Sequence, residues 1–412
     1  MPMPLPIPRR QTFRRRRIAA FGAAAILLGA GFYLPFTLLA PLQTAELTTI
    51  SHDVPGTSPP TIDFPPYGAS GFGALGFPGV LAAGGSTDAL PVASISKVVT
   101  ALVVLESQPL ALDEAGPTIT FTEADEGFYA EQVANDGIVE PATAGTSISQ
   151  RNMMDAMLMA SANNYAQSLA TWAFGSEAAY VDAAAGWLAS HGFVSTVMND
   201  ATGMNPANVS TVSELVELGK LALADPIVST IVATPTVDIP GIGVVDNRNG
   251  LLGVDGVDGI KTGTLDEAGS CLLFSADYAV GSETITIVGA VLGGPDHDTI
   301  NAAIRGILAQ AETGFTEVTL TTPDDEYAAY STTWGDDAAA VPAEPLSAVS
   351  WAGTPVTSEV TLDSVTTAPA GTDIGDLVFT VGERQYSVDL TLDATIDDPG
   401  PWWRLGHPAL LF

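Results

Sequence analysis

The chain has 412 residues, enough for two or three domains and a sizeable core, and carries 14 Lys and Arg against 47 Asp and Glu for a formal net charge of −33. Six of those cations lie before residue 18, so the rest of the chain is strongly acidic, which excludes the basic patch that a phosphate backbone requires. A single cysteine, Cys271 within an apolar stretch, excludes an internal disulfide framework and reads as a buried small hydrophobe.

The basic segment 1–17 is followed by IAAFGAAAILLGAGFYLPFTLLAPL, residues 18–42, without a charged side chain. That length suits a bilayer span better than the roughly 7–15 residue core of a signal peptide. Cleavage sites are poor, since Ala40 precedes Pro41. The segment is therefore expected to be an uncleaved anchor, with the arginines inside and the remainder on the extracytoplasmic face. Residues 43–66, rich in Pro, Ser and Thr, read as a linker.

From residue 67 the pattern becomes mixed α and β. GFGALGFPGVLAAGG predicts a hairpin, and SISKVVTALVVLE, SQRNMMDAMLMASANNYAQSLATWAF, SEAAYVDAAAGWLASHG and STVSELVELGKLALAD carry helical periodicity. TITIVGAVLGG predicts a strand, and DTINAAIRGILAQAE a helix capped by Asp298 or Thr299. After residue 313, TEVTLTT, SEVTLDSVTT, DLVFTVG and RQYSVDLTLDA alternate apolar with polar residues, as in a small antiparallel β domain spanning 314–412. The aromatic end, PGPWWRLGHPALLF, is expected to pack on that β domain.

Four histidines are scattered, PDHD at 295–298 reads as a polar loop capping the following helix, and no metal-ligand spacing occurs. The sequence has neither GxSxG nor HExxH. Chemistry is concentrated elsewhere. Ser94 and Lys97 stand one helical turn apart on one face, at the start of an apolar helix whose free N–H groups favour a developing oxyanion. A serine needs a base, and a lysine serves as one only when burial or a neighbouring cation lowers its pKa from about 10.4. Ser161 and Asn163 interrupt an otherwise apolar helix, so they cap a break or face a polar cleft. Lys261, Thr262, Gly263 and Thr264 form KTGT on a strand that offers a cation, hydroxyls and a backbone that a substrate can approach closely; Arg248 precedes them in NRNGLL.

Taken in order, SxxK, SxN and KTG resemble the motif set of the penicillin-recognising serine acyltransferases. The chain most resembles the low-molecular-weight penicillin-binding proteins, serine-type D-Ala-D-Ala carboxypeptidases, over roughly residues 70–312, with NDATGMNPANVST and NRNGLL…VDGIKTGTLDEAG as accessory matches. That resemblance implies an α/β (α+β) catalytic domain of β-lactamase/transpeptidase type at 67–313, followed by the small β domain. It implies Ser94 as nucleophile, Lys97 as its general base, Ser161 as proton relay to the leaving amine and Asn163 as a substrate-positioning residue. Lys261 supports the site electrostatically, while Thr262, Gly263, Thr264 and Arg248 bind substrate, and the N–H groups of Ser94 and Thr264 form the oxyanion hole. No cofactor is implied. The expected partners are peptidoglycan stem peptides ending in D-Ala-D-Ala, β-lactam antibiotics and, through the anchor, the membrane. A D,D-endopeptidase or transpeptidase would use the same residues. A class A β-lactamase fits less well, because Ala162 stands where that class has aspartate and no matching glutamate is present. A non-catalytic wall-binding or antibiotic-sensing module is the remaining alternative.

Overall fold

In the computed structural model, which describes residues 9–54, 56 and 58–411, a long apolar helix precedes a mixed α and β body and a C-terminal antiparallel sheet. The first eight residues of the basic segment lie outside the described residues. Helix α1 (Arg9–Leu38) contains a candidate membrane span, Phe13–Leu38, that is long and apolar enough to cross a bilayer and is largely exposed apart from its C-terminal end.

The ten helices run in chain order from α1 through α2 (Ser96–Ser107), α3 (Glu123–Ala134), α4 (Gln150–Leu158), α5 (Asn163–Phe174), α6 (Glu177–Ser190), α7 (Val212–Ala224), α8 (Pro226–Ala233), α9 (His297–Glu312) and α10 (Gly400–Gly406). Local chemistry fixes many of their starts. Ser149, Ser176 and Thr211 each accept a hydrogen bond from the N–H three residues on, at α4, α6 and α7. Asp225 caps α8, where Pro226 takes a position whose N–H would be unpaired anyway. Helix α9 is capped by Asp296, whose carboxylate accepts from the Thr299 N–H at 2.7 Å, and not by Asp298 or Thr299 as the apolar periodicity suggested. Extending the helix by one residue at its start places His297 in the first turn.

The central sheet is antiparallel throughout, in the order Val257–Leu265, Gly269–Val280, Glu283–Gly294, Ala69–Ala74, Ala82–Gly85. Side chains alternate across it. Cys271 and Leu273 point into a cluster with Val98, Val216 and Val228 from α2, α7 and α8, while Leu272 and Phe274 join Ile300, Ile304 and Ile307 of α9 on the other face. Both faces are covered, so the strands read as nearly continuous apolar runs. Cys271 is fully buried in this sandwich, and burial pushes its thiol up to about 11, as suits an inert packing residue.

Beyond α9, six antiparallel strands are ordered Glu46–Thr49, Ala328–Ser331, Asp337–Pro342, Arg384–Leu392, Asp373–Val381, Val356–Leu362, with a further pair, Phe315–Thr321 and Leu346–Trp351. The first of these strands differs from the expected linker. Glu46–Thr49 is too short and polar to stand out as a strand, yet it pairs along Ala328–Ser331 and closes the sheet edge beside the exit of α1. Near that exit α10 also docks. The Tyr33 hydroxyl donates to the Leu405 carbonyl at 2.7 Å, Arg404 donates to the Ala40 carbonyl at 2.6 Å, and Trp403 meets Trp334 of the β region edge-on. The aromatic terminus thus packs on the β region as expected and on the base of α1 besides.

Candidate active site

The turn Ala93–Ile95 leads directly into α2, placing Ser94 at the mouth of a cavity and Lys97 one turn deeper with none of its surface exposed. The Lys97 Nζ lies 2.9 Å from Ser94 Oγ, 2.7 Å from Asn163 Oδ1 and 2.6 Å from the Thr202 carbonyl oxygen. Asn163 Oδ1 and the carbonyl can only accept, so they consume two N–H bonds. A neutral amine then has its one lone pair directed at the serine hydroxyl. Burial holds the Lys97 ammonium well below the ordinary lysine range, and the positive charges of Lys261 and Arg248 lower it further against the opposing pull of Asp200. Geometry and electrostatics both favour a lysine that receives a proton from Ser94.

Ser161 and Asn163 lie in the break between α4 and α5. The Asn163 N–H is taken by the Ile138 carbonyl, and Ser161 adopts a left-handed backbone at φ +65°. Such a conformation is uncommon for a residue with a Cβ and costs about 1–2 kcal/mol. It turns the Ser161 hydroxyl toward Lys261 Nζ, 3.1 Å away. Ala93, next to Ser94, is the other left-handed non-glycine residue at the site, at φ +46°.

Lys261 comes from the edge strand Val257–Leu265 and is buried. Burial, assisted by the Arg248 guanidinium, brings its pKa down to about 7. Gly263 works differently from the sequence expectation. A Cβ there would lie 2.9 Å from the Val92 carbonyl oxygen and 3.2 Å from the Ser94 nitrogen, so the bare Cα first permits the strand to pack on the nucleophile turn. Arg248 is held between two asparagines that fold the loop. Asn247 donates to the Val232 and Thr234 carbonyls, and Asn249 donates to the Gly259 carbonyl.

Ser94, Ser161, Arg248, Thr262, Gly263 and Thr264 surround one cavity of about 210 Å³, with Lys97, Asn163 and Lys261 joined to it by the hydrogen bonds above. All nine residues singled out in the sequence converge. Two further residues line the cavity: Ile138 and His297, whose Nε2 lies 2.7 Å from Thr264 Oγ1. No periodic signal marks either, and His297 stands out only as part of the polar PDHD loop. The loop 199–208, within the accessory stretch NDATGMNPANVST, also supports the site. Asp200 accepts from the N–H groups of Thr202, Gly203 and Asn205, and Asn208 donates to Ser96 Oγ at 3.0 Å. Ser96 in turn donates to the Ala93 carbonyl, so this hydroxyl, without a role in the motif, ties the loop to the nucleophile turn. Among the described residues no cluster of His, Cys, Asp or Glu has the makings of a metal site.

The fold is that of penicillin-binding proteins. The peptidoglycan synthesis regulatory factor PBP3 of Streptococcus pneumoniae superposes with a TM-score of 0.58 at 18% identity, covering 80% of this chain and 99% of its own. Penicillin binding protein 5 of Haemophilus influenzae gives 0.57 at 19% identity, covering 83% and 100%. The DD-transpeptidase of Streptomyces K15 gives 0.54 at 23% identity over 61% of this chain and 98% of its own. Residues 78–294, more than half of the chain, match the D-alanyl-D-alanine carboxypeptidase family (peptidase family S11), and the chain belongs to it. Two curated relatives are named D-alanyl-D-alanine endopeptidase. That of Pseudomonas aeruginosa is 33% identical over 191 residues, 45% of this chain, and that of Escherichia coli 31% over 195 residues, 44% of this chain. The aligned region spans 58% of the length of each of these relatives.

Proposed function

We propose that the protein is a serine-type D-alanyl-D-alanine carboxypeptidase that removes the terminal D-Ala from peptidoglycan stem peptides through a Ser94 acyl-enzyme, and that β-lactams acylate the same serine. The observation that carries this reading is the Lys97 environment, in which two acceptor-only partners leave the amine's lone pair for Ser94. Ser94 Oγ passes its proton to Lys97 as it attacks the carbonyl of the penultimate D-Ala. The N–H groups of Ser94 and Thr264 hold the developing oxyanion, where loss of one donor typically costs about 10²–10³ in rate. Ser161 relays a proton to the departing amine, and Asn163 positions the peptide. Lys261, Thr262, Thr264 and Arg248 receive the terminal carboxylate, with Gly263 keeping the strand close. Water then attacks the acyl-enzyme and returns the serine.

In this reading α1 anchors the chain in the membrane and the catalytic residues, within 67–313, work on the extracytoplasmic face, with 314–412 forming the β domain. Incubation with a muropeptide ending in D-Ala-D-Ala tests the activity directly: release of free D-Ala, absent in Ser94→Ala, is expected. No release from the unmutated protein overturns the carboxypeptidase reading. The names of the two curated relatives favour a second reading, endopeptidase cleavage of a D-alanyl bond within a crosslink. Cleavage of crosslinked dimers without release of D-Ala from monomers would replace the first reading by the second.

A further inference from the structure

One ionisable group at the cavity has no part in the acylation scheme. His297 opens α9, is half-buried, and lines the cavity alongside Ser94 and Thr264. Its Nε2 is 2.7 Å from Thr264 Oγ1, while Thr264 itself faces outward into the cavity. We propose that His297 is a positioning residue that decides which way the Thr264 hydroxyl points, and thereby how tightly the site holds a substrate carboxylate. The inference rests on the acyl-transfer reading above and deepens it.

A threonine hydroxyl has one hydrogen. When Nε2 is bare, that hydrogen is donated to the imidazole, and only lone pairs face an incoming carboxylate. When Nε2 carries a hydrogen, it donates to Thr264 Oγ1, and the hydroxyl's own hydrogen turns into the cavity. An anionic ligand therefore selects the Nε2–H form, either as the neutral tautomer or as the imidazolium. The charged groups around the ring are Lys261 from the edge strand, Asp296 and Asp298 on its own helix, and Arg248 across the cavity. Burial and the Lys261 charge lower the imidazole pKa, with both aspartates opposing. Near neutral pH the choice is thus between tautomers, and at lower pH the cation removes the choice because both nitrogens then donate.

The test compares acylation of the full chain by a penicillin and by the methyl ester of the same penicillin, across pH. The ratio of acid to ester rates isolates recognition of the carboxylate. In the unmutated protein the ratio is expected to rise as pH falls, in one step near 7 from Lys261 and a second, lower step from His297. His297→Ala should cut the ratio about tenfold, the worth of roughly one hydrogen bond to a charged group, and erase only the lower step. His297→Gln, which keeps a fixed N–H donor, should restore the ratio without the lower step. Equal losses for acid and ester, or an unchanged ratio in His297→Ala, would overturn the proposal while leaving acyl transfer at Ser94 intact. Failure of both probes to acylate the unmutated protein would overturn the acyl-transfer reading and this inference together. Thermal unfolding of both variants separates a folding defect from a change in recognition, and His297→Gln carries the test should the alanine variant fail to fold.

Discussion

Lys97 and Lys261 are both buried cations-in-waiting, and their different surroundings divide the pH profile between them. In the proposed scheme Lys97 acts only when unprotonated, so acylation by a penicillin should fall as pH drops through its lowered pKa. Lys261 contributes only when charged, and its pKa of about 7 means that capture of a carboxylate weakens as pH rises past neutrality. A bell-shaped profile of acylation efficiency is expected. Arg248→Gln removes a positive neighbour, so the Lys261 pKa must rise and the alkaline limb must move to higher pH, even though the variant binds carboxylates less tightly. An unshifted alkaline limb would detach that limb from Lys261. Ser161 allows a second measurement. Ser161→Gly releases the strain of the left-handed backbone, which offsets the lost hydrogen bond to Lys261; unfolding stability should change by less than about 1 kcal/mol while D-Ala release collapses. A large loss of stability would instead make Ser161 a structural residue.

At the level of elements, the site is a meeting of the Ala93–Ile95 turn, a strand edge, the break between α4 and α5, the start of α9 and the loops around them. Gly203 belongs to the loop, at φ +85°, and a Cβ there would come within 2.0 Å of the Ala93 carbonyl oxygen. Gly203→Ala should push the loop from the nucleophile turn and withdraw the Thr202 carbonyl from Lys97. A displacement of about 1 Å typically costs on the order of 10²-fold in rate, measurable as slowed penicillin labelling of still-folded protein. This scale also separates what was legible in the sequence from what was not. Ser94 and Lys97, three residues apart, are put together by helix geometry alone, whereas Ser161 and Asn163, two apart, share the site because a left-handed Ser161 breaks the chain between α4 and α5. His297 and Ile138 line the cavity from a helix start and a loop distant in sequence with no local period to mark them, and the Thr202 carbonyl reaches Lys97 from the accessory stretch NDATGMNPANVST. The apolar period of α9 begins at Ile300 and so points to Asp298 or Thr299 as its cap, whereas the first helical turn needs no apolar residue and the cap is Asp296. The role of Ser96 is not legible in the sequence, because its partners, Asn208 and the Ala93 carbonyl, are set by the fold of the loop.

The whole molecule is less divisible than its composition suggests. Sequence patterning separates a catalytic region from a β region near residue 313, with spacing from the membrane as the simplest use for the latter. Yet Trp351 meets Phe72 of the central sheet at 5.5 Å and Phe315 at 4.8 Å, and Arg384 lies over the Phe77 ring at 4.7 Å while pairing with Glu283 at 2.6 Å. Trp351, Val349 and Phe315 share a core cluster with the residues under α9. Removing residues 316–412 should therefore expose Phe72 and Phe77 and destabilise the catalytic region, contrary to an inert spacer. Trp351→Ala offers the gentler version, with an expected loss of about 3–5 kcal/mol in denaturant unfolding followed by penicillin labelling. Unchanged stability would restore the picture of two independent parts.

Strand Glu46–Thr49 carries a consequence for biosynthesis. It leaves the ribosome early, directly behind the apolar helix, but its pairing partner Ala328–Ser331 and the Arg404 that grips the Ala40 carbonyl emerge near the end. In the proposed extracytoplasmic topology, the nascent chain until then holds an unpaired strand edge close to the translocation exit. The six-stranded sheet can close only when the last tenth of the chain has crossed, so truncated translation products should be recognisable to extracytoplasmic proteases by that open edge.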